Sequence, residues 1–123
     1  MFNVSVENVG ELAIVECQGR LVQSEAAFHF RDVVTSQAEA RTVVVDLSEV
    51  TALEGWGLGM LMFLQRWAQD HDVRFKLFNP SLSLLNRLQK INSMSEFEIA
   101  SLDEMMALLG RHEPHYNTWP AAS

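Results

Sequence analysis

The most unusual passage of the chain is Glu49-Val50-Thr51-Ala52-Leu53-Glu54-Gly55-Trp56-Gly57-Leu58-Gly59, with three glycines in five positions at the start of a helical pattern. Glycines beside a helix start let a ligand approach the backbone and leave amide hydrogens pointing at an anion, so phosphate chemistry is the first to test. The full fingerprints fail. A dinucleotide turn needs Gly-x-Gly-x-x-Gly, but counting from Gly55 the third slot is Met60, and Asn79 stands near the end of the following strand where an acid would grip a ribose. A phosphate loop needs lysine followed by serine or threonine, which these glycines lack. Gly55 and Gly59 have the outer spacing of a Gly-x-Ser-x-Gly nucleophile elbow, yet Gly57 takes the place of the serine and offers no nucleophile. The chain therefore reads as a non-enzyme, with no catalytic residue and no cofactor. Binding of a small nucleotide or other ligand at the glycine-rich turn is the weakest of the functional alternatives.

Other reactive residues add little. His112 and His115 form a His-x-x-His pair with only Glu113 beside them, too few ligands in too loose a segment for a metal site, and His29 and His71 stand apart. No metal is expected. Cys17 is the single cysteine, so it cannot close an internal disulfide; it ends the mostly apolar run from Leu12 and reads as a buried strand thiol in a reduced compartment.

At 123 residues, the chain has room for one domain. Its 48% hydrophobic and 20% charged content is ordinary globular usage. Nine Lys+Arg against sixteen Asp+Glu give a net charge of −7, which argues against a basic face for nucleic acid or anionic lipid. The charge is unevenly placed: residues 1–56 carry nine acids and three bases, residues 57–95 two acids and five bases, and residues 96–123 five acids and one base. The N-terminus, Met1-Phe2-Asn3-Val4, lacks a signal-peptide pattern and no run is long enough to span a bilayer, so a cytoplasmic location without membrane insertion is expected.

The elements that must position the glycine-rich passage follow from periodicity. Phe2, Val4 and Val6 alternate, and Asn8-Val9-Gly10 turns into Leu12-Ala13-Ile14-Val15, which makes two antiparallel strands closed at Gly19-Arg20-Leu21. Ser24 is placed as the cap of a helix reaching about Ala40, with Ala27, Phe30, Val33, Val34 and Ala38 on one stripe. Thr42 to Leu47 reads as a central strand covered on both faces. A helix from about Gly57 to His71 and a strand from Val73 to Phe78 follow, then a helix with Asn79 as cap and Pro80 as its first residue. That helix carries Leu84, Leu85, Leu88 and Ile91 on one stripe and ends at Asn92. A short strand over Glu96 to Ile99 leads to a last helix, with a Ser101/Glu104 capping box and Gly110 as its stop.

The order ββαβαβαβα predicts a single α/β domain over residues 1–110: a mixed, mostly parallel sheet of about five strands with helices packed on it. Residues 111–123 read as an extended or disordered tail. The helix after Gly57 is apolar over an arc of about 160°, too wide for a simple surface helix. Either it is gripped by the sheet and a neighbouring helix, or it leaves Trp56, Met62 and Phe63 exposed as a contact patch for another protein, or for a second copy in a homodimer.

The run Val43-Val44-Val45-Asp46-Leu47-Ser48-Glu49-Val50-Thr51 followed by Leu53-Glu54-Gly55-Trp56-Gly57-Leu58-Gly59-Met60-Leu61 resembles the switch segment of STAS domains, the fold of bacterial anti-sigma-factor antagonists. Gly19-Arg20-Leu21 is similar to an earlier turn of that family, and Asn79-Pro80 to the start of its penultimate helix. The resemblance implies a protein-binding role in signalling and transcription regulation. In those antagonists, the second serine of Asp-Ser-Ser-Gly is phosphorylated by a partner that is both kinase and anti-sigma factor, and the added charge changes which partner is bound. Matched residue by residue, Glu54 takes the aspartate, Gly55 the first serine, Trp56 the acceptor serine and Gly57 the glycine. No phosphorylation is expected at the acceptor position, and the family's acid near the earlier turn falls at Val22. Ser48 and Thr51 are hydroxyls off that position, with capping or turn roles.

The expectation is a regulatory module that docks through Glu54, Gly55, Trp56, Gly57, Gly59, Met62 and Phe63. Its partner is an anti-sigma factor or serine-kinase-like regulator. The alternative, implied by STAS domains beside lipid and anion transport machinery, is a cytoplasmic accessory subunit that seats on a transporter ATPase subunit. The loop lies where the acidic first half meets the mildly basic middle, which predicts a partner with a basic contact beside an apolar pocket.

Overall fold

The computed structural model describes residues 1–91 and 97–111. Strand β1 (Phe2–Val9) turns at Gly10-Glu11 into β2 (Leu12–Leu21), and the two pair antiparallel with Val6 opposite Val15 and Val4 opposite Cys17. Helix α1 (Ser24–Thr35), strand β3 (Thr42–Leu53), helix α2 (Trp56–Asp70), strand β4 (Arg74–Phe78), helix α3 (Leu82–Ile91), strand β5 (Glu98–Ala100) and helix α4 (Leu102–Arg111) complete the chain. The order ββαβαβαβα is the expected one. The sheet runs β1-β2-β3-β4-β5, antiparallel at the first pair and parallel thereafter.

Strands laid side by side in chain order, with crossovers of one hand, place their connecting helices on one face. Accordingly Phe30 and Val34 of α1, Leu61, Leu64 and Ala68 of α2, and Leu84 and Leu88 of α3 share one core with Val15, Val43, Val45 and Leu77 of the sheet. On the opposite face, Met105 and Leu108 of α4 pack on Leu12, Val44 and Ala100. Val43, Val44 and Val45 are all fully buried, which explains why β3 reads as a continuous apolar run rather than an alternating one. Lys76 of β4 is buried at the α4 side and reaches Glu98 at 3.0 Å and Glu104 at 3.8 Å.

The Ser101/Glu104 capping box forms in both directions: Ser101 N–H donates to Glu104 Oε1 at 2.9 Å and Glu104 N–H to Ser101 Oγ at 3.1 Å. The Ser101 amide, helped by the Lys76 ammonium, holds the Glu104 carboxyl below its ordinary pKa.

Local ends differ from the sequence reading in several places. Ser24 is the first helical residue of α1, and Gln23 at the cap makes no side-chain bond to the helix. That helix stops at Thr35 rather than Ala40, because the hydroxyls of Thr35 and Ser36 bond back to the carbonyls of Arg31 and Val33 and compete with continued helix. Strand β3 runs past Leu47 to Leu53, alongside the end of β2: Gly19 pairs with Val50 and Leu21 with Leu53, after a register shift at Glu16/Gln18. Ser48 N–H donates to the Asp46 carboxylate at 2.9 Å at that irregularity. The cap of α3 is Ser81, whose hydroxyl accepts from Leu84 N–H at 3.2 Å, while Asn79 takes φ +57° and Pro80 lies before the helix. Gly110 is helical and does not end α4. Asn92, Glu96 and the tail from His112 to Ser123 lie outside the described residues.

Candidate functional site

The extension of β3 delivers the chain to Glu54-Gly55 beside the end of β2, and α2 starts at once. Two glycines make that junction possible, for different reasons. Gly55 has φ +59° and ψ −124°, a conformation open to glycine and costly for any other residue. Gly57 is buried against β2, and a Cβ on it would overlap the carbonyl oxygen of Leu21. Trp56 N–H donates to the Val22 carbonyl at 3.1 Å, and Gly59 N–H to the Gly55 carbonyl at 3.1 Å. The helix start is thus tied to the β2–α1 junction, and the first helical amide is used by the fold rather than offered to an anion. No side chain caps α2, and its first turn holds no acid.

Anchored this way, Trp56 projects outward and is 57% exposed. Its ring meets Phe28 of α1 edge-on, with centroids 5.5 Å apart and planes at 69°. The Arg31 guanidinium lies 5.0 Å from the Phe28 ring centre and pairs with Asp32 at 3.0 Å. Along α2, Gly55, Trp56, Gly59, Met60 and Phe63 line a shallow apolar depression of about 480 Å³, with Phe63 51% exposed. Glu54 stands at its edge in the chain and reaches Arg87 of α3 at 3.9 Å.

Of the residues singled out in sequence, Gly55, Trp56, Gly59 and Phe63 come together at this depression. Glu54 is exposed beside it and Gly57 lies beneath, buried. Met62 is half-buried against the core and does not line the depression; Met60 does. Phe28 and Arg31 carry no signal in the sequence pattern: they belong to α1, and only the packing of α1 on α2 brings Phe28 to Trp56, with Arg31 over the Phe28 ring. Toward the far end of the helix, Trp67 stacks on His71 with ring centroids 4.7 Å apart.

The depression contains no nucleophile, acid or base. Ser48 and Thr51 are exposed on β3, away from its lining. Cys17 is buried in the main core, where desolvation and the Asp46 carboxylate push its thiol pKa up to about 12. Among the described residues no group of three or more His, Cys, Asp and Glu could hold a metal ion, and no helix is long and apolar enough to cross a membrane. His112 and His115 lie outside them. What this arrangement can do chemically is bury apolar surface against another molecule.

The sequence profile of the STAS domain matches residues 3–105. The chain belongs to the STAS domain family. None of the curated proteins matches it. Among solved structures, it is similar to the anti-sigma-factor antagonist SpoIIAA of Bacillus in its unphosphorylated form, at 16% identity over 87% of this chain and 96% of that one, with a TM-score of 0.71. An anti-sigma factor antagonist from Mycobacterium paratuberculosis is 16% identical over 89% and 94%, with a TM-score of 0.68. The murine anion transporter Slc26a9 is 16% identical over 85% of this chain but 18% of its own, with a TM-score of 0.69. At these identities the likeness is one of fold. In this STAS domain, the junction between β2 and α1 and the start of α2 are neighbours, joined by the Trp56–Val22 hydrogen bond.

Proposed function

We propose that this STAS domain is a non-enzymatic protein-interaction module, similar in role to anti-sigma-factor antagonists, that docks on its partner through the start of α2. The observation that carries this reading is Trp56, more than half exposed at the first position of α2 and flanked by Phe28 and Phe63. Tryptophan is among the residue types most enriched at interface hot spots. SpoIIAA has been solved in both unphosphorylated and phosphorylated forms. By resemblance Trp56 takes the acceptor position and Val22 that of the family's acid, and the Trp56 amide bonds to the Val22 carbonyl, so both departures fall in one place. Docking here is therefore governed by apolar contact rather than by a phosphate at that residue. The partner is an anti-sigma factor or serine-kinase-like regulator, with a basic group to meet Glu54.

The test is affinity capture from native cell extract with the wild-type chain and with Trp56→Ala, followed by a binding titration on the protein recovered. A serine-kinase-like ATPase or sigma regulator whose affinity falls by roughly 30-fold in Trp56→Ala, about 2 kcal/mol, is the expected result. Unchanged affinity in a folded Trp56→Ala chain refutes the docking face. The fold shared with the STAS segment of an anion transporter favours a second reading, an accessory subunit of a membrane transport complex. Capture of a transport ATPase in place of a sigma regulator decides for it.

A further inference from the structure

Gly59 has no evident task in the folded monomer. Its φ is not positive, a Cβ built on it meets nothing within 4 Å, and it lies exposed in the first turn of α2, where glycine is a poor helix former. Three residues before it stands Trp56, and four after it Phe63, both more than half exposed. The pattern aromatic, glycine, aromatic reads nearly the same in either direction along the helix. Two knobs about 10 Å apart with a hole between them form a surface that is complementary to itself under a two-fold rotation.

We propose that a second copy of this chain covers this face, in an antiparallel pairing of the N-terminal halves of α2 that crosses at Gly59. Trp56 of each copy then lies on Phe63 of the other, and the two Gly59 backbones meet where a side chain would hold the helices apart. The same rotation sets Glu54, two residues before the first knob, beside Arg66 of the other copy, three residues past the second. Both are exposed, and the contact of Glu54 with Arg87 is long at 3.9 Å. Arg31 and Asp32 at the α1 side pair with each other and leave no net charge there.

Area decides how tight this pairing is. An aromatic side chain offers 150–250 Å², so Trp56, Phe63 and Phe28, at 57%, 51% and 39% exposure, leave about 300 Å² uncovered per copy. The aromatic centre of two copies is then about 600 Å², and the lower end of specific interfaces, about 1,200 Å², requires as much again from the surrounding polar rim. The dimer is accordingly weak, with a Kd on the order of tens of micromolar, and exchanges with any protein that takes the same face. It deepens the docking reading, on which it rests for the availability of that face: the second copy and the regulator compete for Trp56.

Sedimentation velocity of the full chain from about 1 to 300 µM tests the proposal. The wild type is expected to pass from monomer to dimer, and Gly59→Gln and Phe63→Glu each to weaken the dimer by at least about tenfold while circular dichroism stays native. Both positions are exposed, so neither change disturbs the core. A chain that stays monomeric over the whole range overturns the proposal, and so does a dimer whose Kd both variants leave within twofold. The two readings fail separately. A monomeric chain that binds its regulator through Trp56 removes the dimer and keeps the docking face; a Gly59-dependent dimer with Trp56-independent regulator binding does the reverse.

Discussion

Alanine at Gly57 and alanine at Gly59 are the same chemical change two residues apart in one helical turn, and the structure gives them opposite signs. Each replacement raises helix propensity by about 0.5–1 kcal/mol. At Gly59 the added methyl meets open space, so the gain stands and the chain is expected to be more stable by about that amount. At Gly57 the methyl would overlap the Leu21 carbonyl oxygen and crowd the Leu21 side chain, which is fully buried. The start of α2 must then move off β2. Overpacking of this kind costs about 1–3 kcal/mol, and loss of the 3.1 Å bond from Trp56 N–H to Val22 adds about 1 kcal/mol. After the propensity gain, Gly57→Ala should be less stable than wild type by about 1–3 kcal/mol. Urea unfolding followed by circular dichroism, at about 1 µM so that self-association plays no part, measures both variants. With a urea dependence of about 1–1.5 kcal/mol per molar, the midpoint should fall by about 0.7–3 M for Gly57→Ala and rise by about 0.3–1 M for Gly59→Ala. Two midpoints that move in the same direction refute the close approach of α2 to β2.

Cys17 and Lys76 provide two further checks. Because the folded thiol has its pKa pushed up to about 12 from an ordinary value of 9.0, its contribution to stability is complete below pH 9 and is lost as pH rises toward 12. Unfolding midpoints should therefore fall across that interval in the wild type and fall less steeply in Cys17→Ala; equal slopes contradict the burial argument. Lys76 is buried, but Glu98 and Glu104 are both more than half exposed and regain water when it is removed, so Lys76→Met should change stability by no more than about 1 kcal/mol in either direction. A loss above about 3 kcal/mol by the same urea assay would show that the ion cluster holds α4 on the sheet.

Gly55 and Gly57 stood out as glycines, and the absence of a nucleophile at Gly57 already excluded a hydrolase elbow. Their different reasons, a positive φ at one and a carbonyl contact at the other, depend on where β2 runs and leave no mark on local pattern. The passage from Glu49 to Leu53 read as loop because its polar residues break the apolar run; pairing with the end of β2 overrides that preference and makes it strand. Met60 and Met62 both pack partly against the core, and only the tertiary arrangement decides that Met60 also lines the depression.

Periodicity determined by itself the order of the elements, the parallel character of the sheet after its first pair, and the burial of β3 on both faces, because burial patterns along a chain repeat with the geometry of each element. Helix and strand ends were set by competition between backbone and nearby hydroxyls, as at Thr35, Ser36 and Ser81, where several residues in sequence were eligible and small energies chose among them. The aromatic face was decided by tertiary structure alone. Phe28 and Trp56 are 28 positions apart, and they touch because α1 and α2 lie side by side on one face of the sheet. Separations of that kind are fixed by packing in three dimensions, for which no period in one dimension stands as a signal.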